Sequence, residues 1–417
     1  MPPRVAAGVC MRSLTVAFLC VLCVLPAACG RRGGAPGAPG GGAQAAFQKQ
    51  LAEQLLNARS GAVIEIPAGT YALDRTLTVQ TGGLTVRGAG IDRTVLSFKH
   101  AASDAGGIVV GADGFTIESL AIEDSKGDGL AVRDADHLTV RAVRAAWTGG
   151  PQPGNGAAGI HVQGAHHVLI EDCAAYSAST AGIYVERSRN VIIRHCQVEQ
   201  NVVGIAIVNS VGADADGNTA TGNSGGIVVL NTPEATQPGD AVRVFGNQVF
   251  KNNLGNFAPK GTTLAVVPAG CGVLVNAASQ VEIFDNDLAN NQTANVMIAT
   301  DFFRPDPGRP AGAAAHTAVP AAIYVYGNRF AGGGNAPDGA ALQAVRKAKF
   351  GGPGGRLPDI LWDGYRDEQL GRICIRNNGA TVLNGDGPHG FSAPSTDLAP
   401  FQCELPKLPA VVLPAGP

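Results

Sequence analysis

Residues 159–181 read GIHVQGAHHVLIEDCAAYSASTA, and residues 182–203 read GIYVERSRNVIIRHCQVEQNVV. Set one above the other, the two stretches share a plan. Each opens with Gly-Ile, enters a second apolar run about nine residues later, and reaches a third around Cys173 or Cys196. The same opening recurs at Gly107-Ile108, Gly129-Leu130, Gly204-Ile205, Gly226-Ile227 and Gly272-Val273, and most successive openings lie 22 or 23 residues apart. Self-similarity at a fixed period marks a stacked repeat. The runs are short, rich in Val and Ile, and alternate in polarity, so they are strands with one face inward. Asn218, Asn247, Asn286 and Asn328 share one phase of the third run. They are expected to be turn asparagines stacked in a ladder. Three strands per turn of about 22 residues give an all-β right-handed parallel β-helix. The fixed leucines of a leucine-rich repeat and the hexapeptide beat of a left-handed helix are both absent.

Insertions interrupt the period at residues 147–156, 231–239 and 252–270. A solenoid must cover the open edge of its first coil. Residues 45–58 (AAFQKQLAEQLLNA) place Phe47, Leu51, Leu55 and Leu56 at helical spacing just before the first strand, residues 63–66. They are expected to form the cap helix of a β-helix domain spanning 44–331. Residues 332–417 lose the period and are Gly/Pro-rich, and are expected to be a cap or strand-poor appendage.

Of 417 residues, 45% are hydrophobic and 15% charged, with a net charge of −2. That balance gives no electrostatic footprint for nucleic acid. The N-terminus is a targeting segment: Met11-Arg12-Ser13, an apolar run from Leu14 to Leu25, then Pro26-Ala27-Ala28-Cys29. The placement of Cys29 resembles a bacterial lipobox, with Pro26 where an aliphatic residue is usual. The resemblance implies a signal over 1–28, lipidation of Cys29, and a flexible tether over 29–43. An ordinary secretory signal cut after Ala28 is the alternative. Gly30 after the cysteine favours the outer membrane, by resemblance, with the lipid as the sole membrane contact. Cys173 and Cys196 lie one repeat apart and are expected to stack in the core. Cys374 and Cys403 share the irregular C-terminal part and are expected to form a disulfide. No cysteine or histidine spacing is that of a zinc site.

Residues 47–330 resemble the pectate-lyase-like β-helix superfamily, beginning with IEIPAGTY at 64–71. More narrowly, KGDG at 126–129, WTGG at 147–150, AGIYV at 181–185, SGGIVV at 224–229 and NFAPKG at 256–261 are similar to an exported parallel β-helix repeat family of unassigned activity. The Asp-Pro-His-Asp motif of mannuronan epimerases is absent. The resemblance implies an exported polysaccharide-active protein whose partner is an acidic polysaccharide or cell-surface glycan.

In a strand written Gly-Ile-x-Val-x, the x positions face outward. One outward column is Ala131, His161, Tyr184, Ala206, Val228, Leu274, and the next is Arg133, Gln163, Glu186, Val208, Leu230, Asn276. Polar groups gather on three neighbouring coils, where the insertions at 147–156 and 252–270 are expected to wall a groove. Removing the C5 proton of a uronate needs a base, an acid and a cation against the carboxylate. His161 and Tyr184 are the candidate base and acid, with Arg133 or Lys126 as the cation. Glu186 with Asp128 is the alternative, as the carboxylate pair of a glycosidase. Trp147, Gln163 and Lys260 are candidate substrate contacts, and Asp124 with Asp128 candidate calcium ligands. His137, His166, His167 and His195 fall at turn or strand-edge positions and read as structural. Two functions stand side by side. One is a lyase, C5-epimerase or glycoside hydrolase acting on an acidic polysaccharide. The other is a non-catalytic surface lipoprotein that binds a glycan or an exported protein partner.

Overall fold

The structure is a computed structural model describing residues 41–101, 106–232, 238–300, 319–366, 369, 371–377 and 379–414. The signal segment, Cys29 and residues 29–40 of the expected tether lie outside the described residues.

Each coil places one strand in an eleven-stranded parallel sheet and, in most coils, two in a nineteen-stranded one. The Gly-aliphatic openings are the strands of the first. Leu130–Arg133, Ala158–Gln163, Ala181–Glu186, Val203–Val208, Gly225–Leu230, Cys271–Asn276 and Ala294–Ala299 stack in that order. Their Ile and Val positions point inward. Ile160, Ile183, Ile205, Ile227 and Val273 form one row of the fully buried core, and Val162, Val185, Ile207, Val229 and Val275 the next.

The repeated glycine has a steric cause. A Cβ on Gly159 would lie 2.6 Å from the Gly182 carbonyl oxygen, one on Gly182 2.8 Å from that of Gly204, and one on Gly204 2.7 Å from that of Gly226. Successive coils therefore approach too closely there for any side chain.

Two asparagine ladders run along the coil. The expected one links Asn218, Asn247, Asn286 and Asn328, each amide donating to the next side-chain carbonyl, and ends on Asn377. A second links Asn201, Asn223, Asn252 and Asn291. On the outer face of the larger sheet, Glu65, Arg87, Glu118, Arg141, Glu171 and Arg194 share one column with alternating sign. Opposite charges placed directly across strands stabilise, whereas like charges there would repel.

The N-terminal helix is Gly41–Asn57, so it takes three residues from the expected tether. Its Leu51 and Leu55 are buried against the core, and Phe47 stacks on Tyr71 at 3.7 Å. At the other end the structure corrects the expected boundary at 331. Ile360–Trp362 pairs with Ala294–Ala299, Ile373–Arg376 with Ala321–Tyr326, and Val382–Asn384 with Ile360–Trp362. Coil structure thus continues to residue 384, because these short apolar strands extend the ladders that the last regular coil leaves open. Cys374 and Cys403 are disulfide-bonded, with Cα atoms 5.0 Å apart.

Candidate functional site

The outward columns are ordered as their spacing demands. His161 lies between Ala131 and Tyr184, and Gln163 between Arg133 and Glu186. What covers them differs from expectation. The segment 252–270 does more than wall a groove: Pro259 and Thr262 line the pocket together with Asn155 of the other insertion, as expected, while the rest of the segment lies down on the sheet. Asn256 holds it folded by donating to the Leu264 and Val267 carbonyls, and both of those residues are buried. Together with the apolar side of helix Ala340–Phe350, it closes a second apolar cluster outside the coil over Ala206, Val208, Val228, Leu230 and Leu274. An outward apolar column would otherwise be a large exposed patch. Among the described residues, the coils beside Ala131 stay open. There a pocket of about 380 Å³ is lined by Lys126, Asp128, Arg133, Asn155, Thr180, Pro259 and Thr262, among others.

Three expectations for this face are corrected. Trp147 is 6% exposed and its indole N–H donates to the Ser125 carbonyl at 2.7 Å, so it packs beneath its own insertion and offers no face to a sugar. Tyr184 is 7% exposed, hydrogen-bonds with Thr263, and burial raises its phenol pKa far above the usual value. It is a covered wall residue, not an acid open to substrate. Asp124 and Asp128 do not form a calcium site. Asp124 accepts from the Thr148 amide and hydroxyl, while Asp128 accepts from the Ala158 amide and holds His161. Each carboxylate oxygen already serves a protein donor, and the two residues serve different coils.

His161 is clamped. Its Nδ1 is 2.8 Å from Asp128 Oδ2, its Nε2 is 3.5 Å from Glu186 Oε1, and Tyr184 meets its ring edge-on at 4.9 Å. Burial alone would push the imidazole pKa down. Hydrogen bonding and charge from Asp128 and Glu186 outweigh burial and raise it to about 9. The two carboxylates therefore favour the protonated ring, whose buried Nε2 faces Glu186 Oε1. Glu186, desolvated but held by His161, Arg187 and Gln163, stays below the ordinary carboxylate range. Gln163 donates to it at 2.6 Å. A protonated ring donates a proton instead of accepting one, so these neighbours favour His161 as an acid over the base expected from sequence. The carboxylate pair of a glycosidase is absorbed, since both members brace this ring.

Lys126 and Arg133 are exposed at the pocket rim, and among the described residues neither side chain has an ion pair or hydrogen bond. Lys260 is exposed beside Pro259 and Thr262 at the pocket edge. Thr180 was not singled out from sequence. Its side chain is buried in the pocket wall and its hydroxyl lacks a partner. It lies just ahead of the Gly opening at Ala181-Gly182, close in repeat phase to Asp128, so the repeat itself carried the signal. Summed over Lys126, Arg133, His161, Asp128 and Glu186, the site holds one positive charge in excess.

Residues 82–237 match a family described as the right handed beta helix region. No curated protein matches the sequence. Among solved structures, the Azotobacter vinelandii mannuronan C-5 epimerase AlgE4 A-module aligns with TM-score 0.50 and 16% identity, over 81% of this chain and 91% of that one. Pectate lyase Pel9A aligns with TM-score 0.39 and 15% identity, over 68% and 72%. The tailspike protein of E. coli bacteriophage HK620, in complex with a pentasaccharide, aligns with TM-score 0.44 and 12% identity, over 69% and 58%. The chain has the right-handed parallel β-helix fold.

Proposed function

We propose that this protein binds an anionic glycan of the uronate class, without turning it over, in the pocket between Lys126 and Arg133. The observation that carries this reading is the pair of cations, unpartnered among the described residues, at an open stretch beside the covered part of this face. A carboxylate set between them would gain two charge-assisted contacts. Asn155, whose side-chain N–H groups already donate to the Gly150 and Ser177 carbonyls, lines the same pocket with its side-chain carbonyl left to accept from a sugar hydroxyl. The epimerase and lyase named above act on polyuronates, which gives the substrate class its support. Binding is preferred to catalysis because His161 is held by Asp128 and Glu186, and neither it nor Tyr184 lines the pocket. Export, with lipidation at Cys29 and residence at the outer membrane, belongs to the same proposal and would place the pocket where such glycans occur.

The test is calorimetric titration of oligogalacturonate and oligomannuronate into the full chain and into a Lys126→Ala/Arg133→Ala variant. The variant is expected to bind at least about tenfold more weakly, because two exposed charge-assisted contacts are each worth on the order of 1 kcal/mol. Equal binding by both proteins would remove the pocket from the account. Unsaturated or newly reducing ends appearing in the same tubes would restore the enzyme reading.

A further inference from the structure

Away from the pocket, on the outer side of the nineteen-stranded sheet, three ligand-type side chains meet across two coils. Asp136 and His137 begin strand Asp136–Ala146, and His167 lies in strand His166–Glu171. The parallel register sets Asp136 opposite His166, and therefore His137 opposite His167. We infer that Asp136, His137 and His167 bind one divalent transition-metal ion of the imidazole-preferring kind, Zn²⁺ or Cu²⁺.

The geometry begins with the backbone. His137 and His167 have φ of 56° and 54°, in the left-handed region that favours glycine. The same bulge position is held on neighbouring coils by Gly114, Asn190 and Gly212. Glycine and asparagine take this conformation readily, so two adjacent histidines are not needed by the turn. The bulge aims both rings at one point. His167 Nδ1 is 2.7 Å and His137 Nδ1 3.3 Å from Asp136 Oδ1, with ring centres 4.8 Å apart.

All three ligand atoms lie within 4.8 Å of one another. Metal–ligand bonds of roughly 2.0–2.2 Å place ligand atoms roughly 3–4 Å apart, so small side-chain rotations seat an ion. The Asp136 hydrogen bonds fall on Oδ1, leaving Oδ2 without a partner among the described residues. Asp113 accepts the Asp136 amide at 2.7 Å and so holds the ligand-bearing backbone in place.

The donor set names the class of ion. Two imidazole nitrogens and one carboxylate suit Zn²⁺ and Cu²⁺, whereas Ca²⁺ and Mg²⁺ take oxygen. The side chains are 40% exposed for Asp136, 26% for His137 and 27% for His167. An ion can enter directly and keep water in its remaining positions. The sequence spacing hid this set because its members come from successive coils, 30 residues apart in the case of His137 and His167.

The test uses the full chain titrated with ZnCl₂ and, separately, CuCl₂, against His167→Asn, His137→Asn and the surface control His195→Gln. Asparagine occupies the same bulge at Asn190, so these variants keep the backbone. The expected result is one ion bound per chain, with affinity at least about tenfold lower in each asparagine variant and unchanged in the control. A second readout needs no variant. The Cu²⁺-loaded wild type should show hyperfine coupling to two imidazole nitrogens by electron paramagnetic resonance. Absence of saturable binding of either ion, binding unchanged in both asparagine variants, or coupling to fewer than two nitrogens would each overturn the site.

Discussion

Replacing Asn247 with alanine is expected to lower stability by about 3 kcal/mol. Asn247 is 1% exposed and lies mid-ladder. Its carbonyl accepts the backbone and side-chain amides of Asn218, and its own amide donates to the Ala215 carbonyl and to Asn286. Alanine removes all four bonds. Asn218 Nδ2 keeps the Ile193 carbonyl, and Asn286 Oδ1 keeps the Asn247 backbone amide. The Asn218 backbone amide and the Ala215 carbonyl lose their ladder partner inside a dry core. Each group left unsatisfied costs about 1–3 kcal/mol, which dominates the net loss. Urea unfolding of the two proteins reads the difference. A loss under about 1 kcal/mol would mean that the ladder is not a stabilising element.

Raising the pH from 6.5 to 9 is expected to cost the wild type about 3 kcal/mol relative to a His161→Asn variant. The folded-state pKa of His161 is raised to about 9, above the 6.5 of a free imidazole. Its contribution is therefore fully present below pH 6.5 and is lost as pH rises through 9. The depressed pKa of Glu186 expresses the same attraction and is not counted a second time. Taking the difference between wild type and variant cancels the other titrating groups. Unfolding free energies at half-unit pH steps supply the curve. A difference that is flat, or that grows with pH, would contradict the imidazolium and reopen His161 as a base.

The repeat was legible because close packing writes it into the chain. The Gly openings mark where one coil meets the carbonyl of the next, and Asn218, Asn247, Asn286 and Asn328 mark one buried corner. The outward columns followed from the same alternation, so His161 was correctly set between Ala131 and Tyr184. What covers those columns was not legible. Leu264 and helix Ala340–Phe350 reach the outer face from far along the chain, and their contacts obey no period. Tyr184 was therefore read as open when it is covered, whereas Trp147 is covered by its own insertion. The last coils were missed for a related reason. Ile360–Trp362, Ile373–Arg376 and Val382–Asn384 are each too short to show alternation. His137 and His167 looked like turn residues because only the register brings them together.

We propose that a carboxylate is what the Lys126–Arg133 pocket recognises. The most direct measurement compares the wild-type affinity for an oligouronate with that for the same oligosaccharide after its carboxyl groups are reduced to alcohols. Size, linkage and hydroxyl pattern are then shared, and charge alone differs. The uronate is expected to bind at least about tenfold more tightly, and added salt to narrow the gap. Equal affinities for the two, or no binding of either by folded protein, would contradict it.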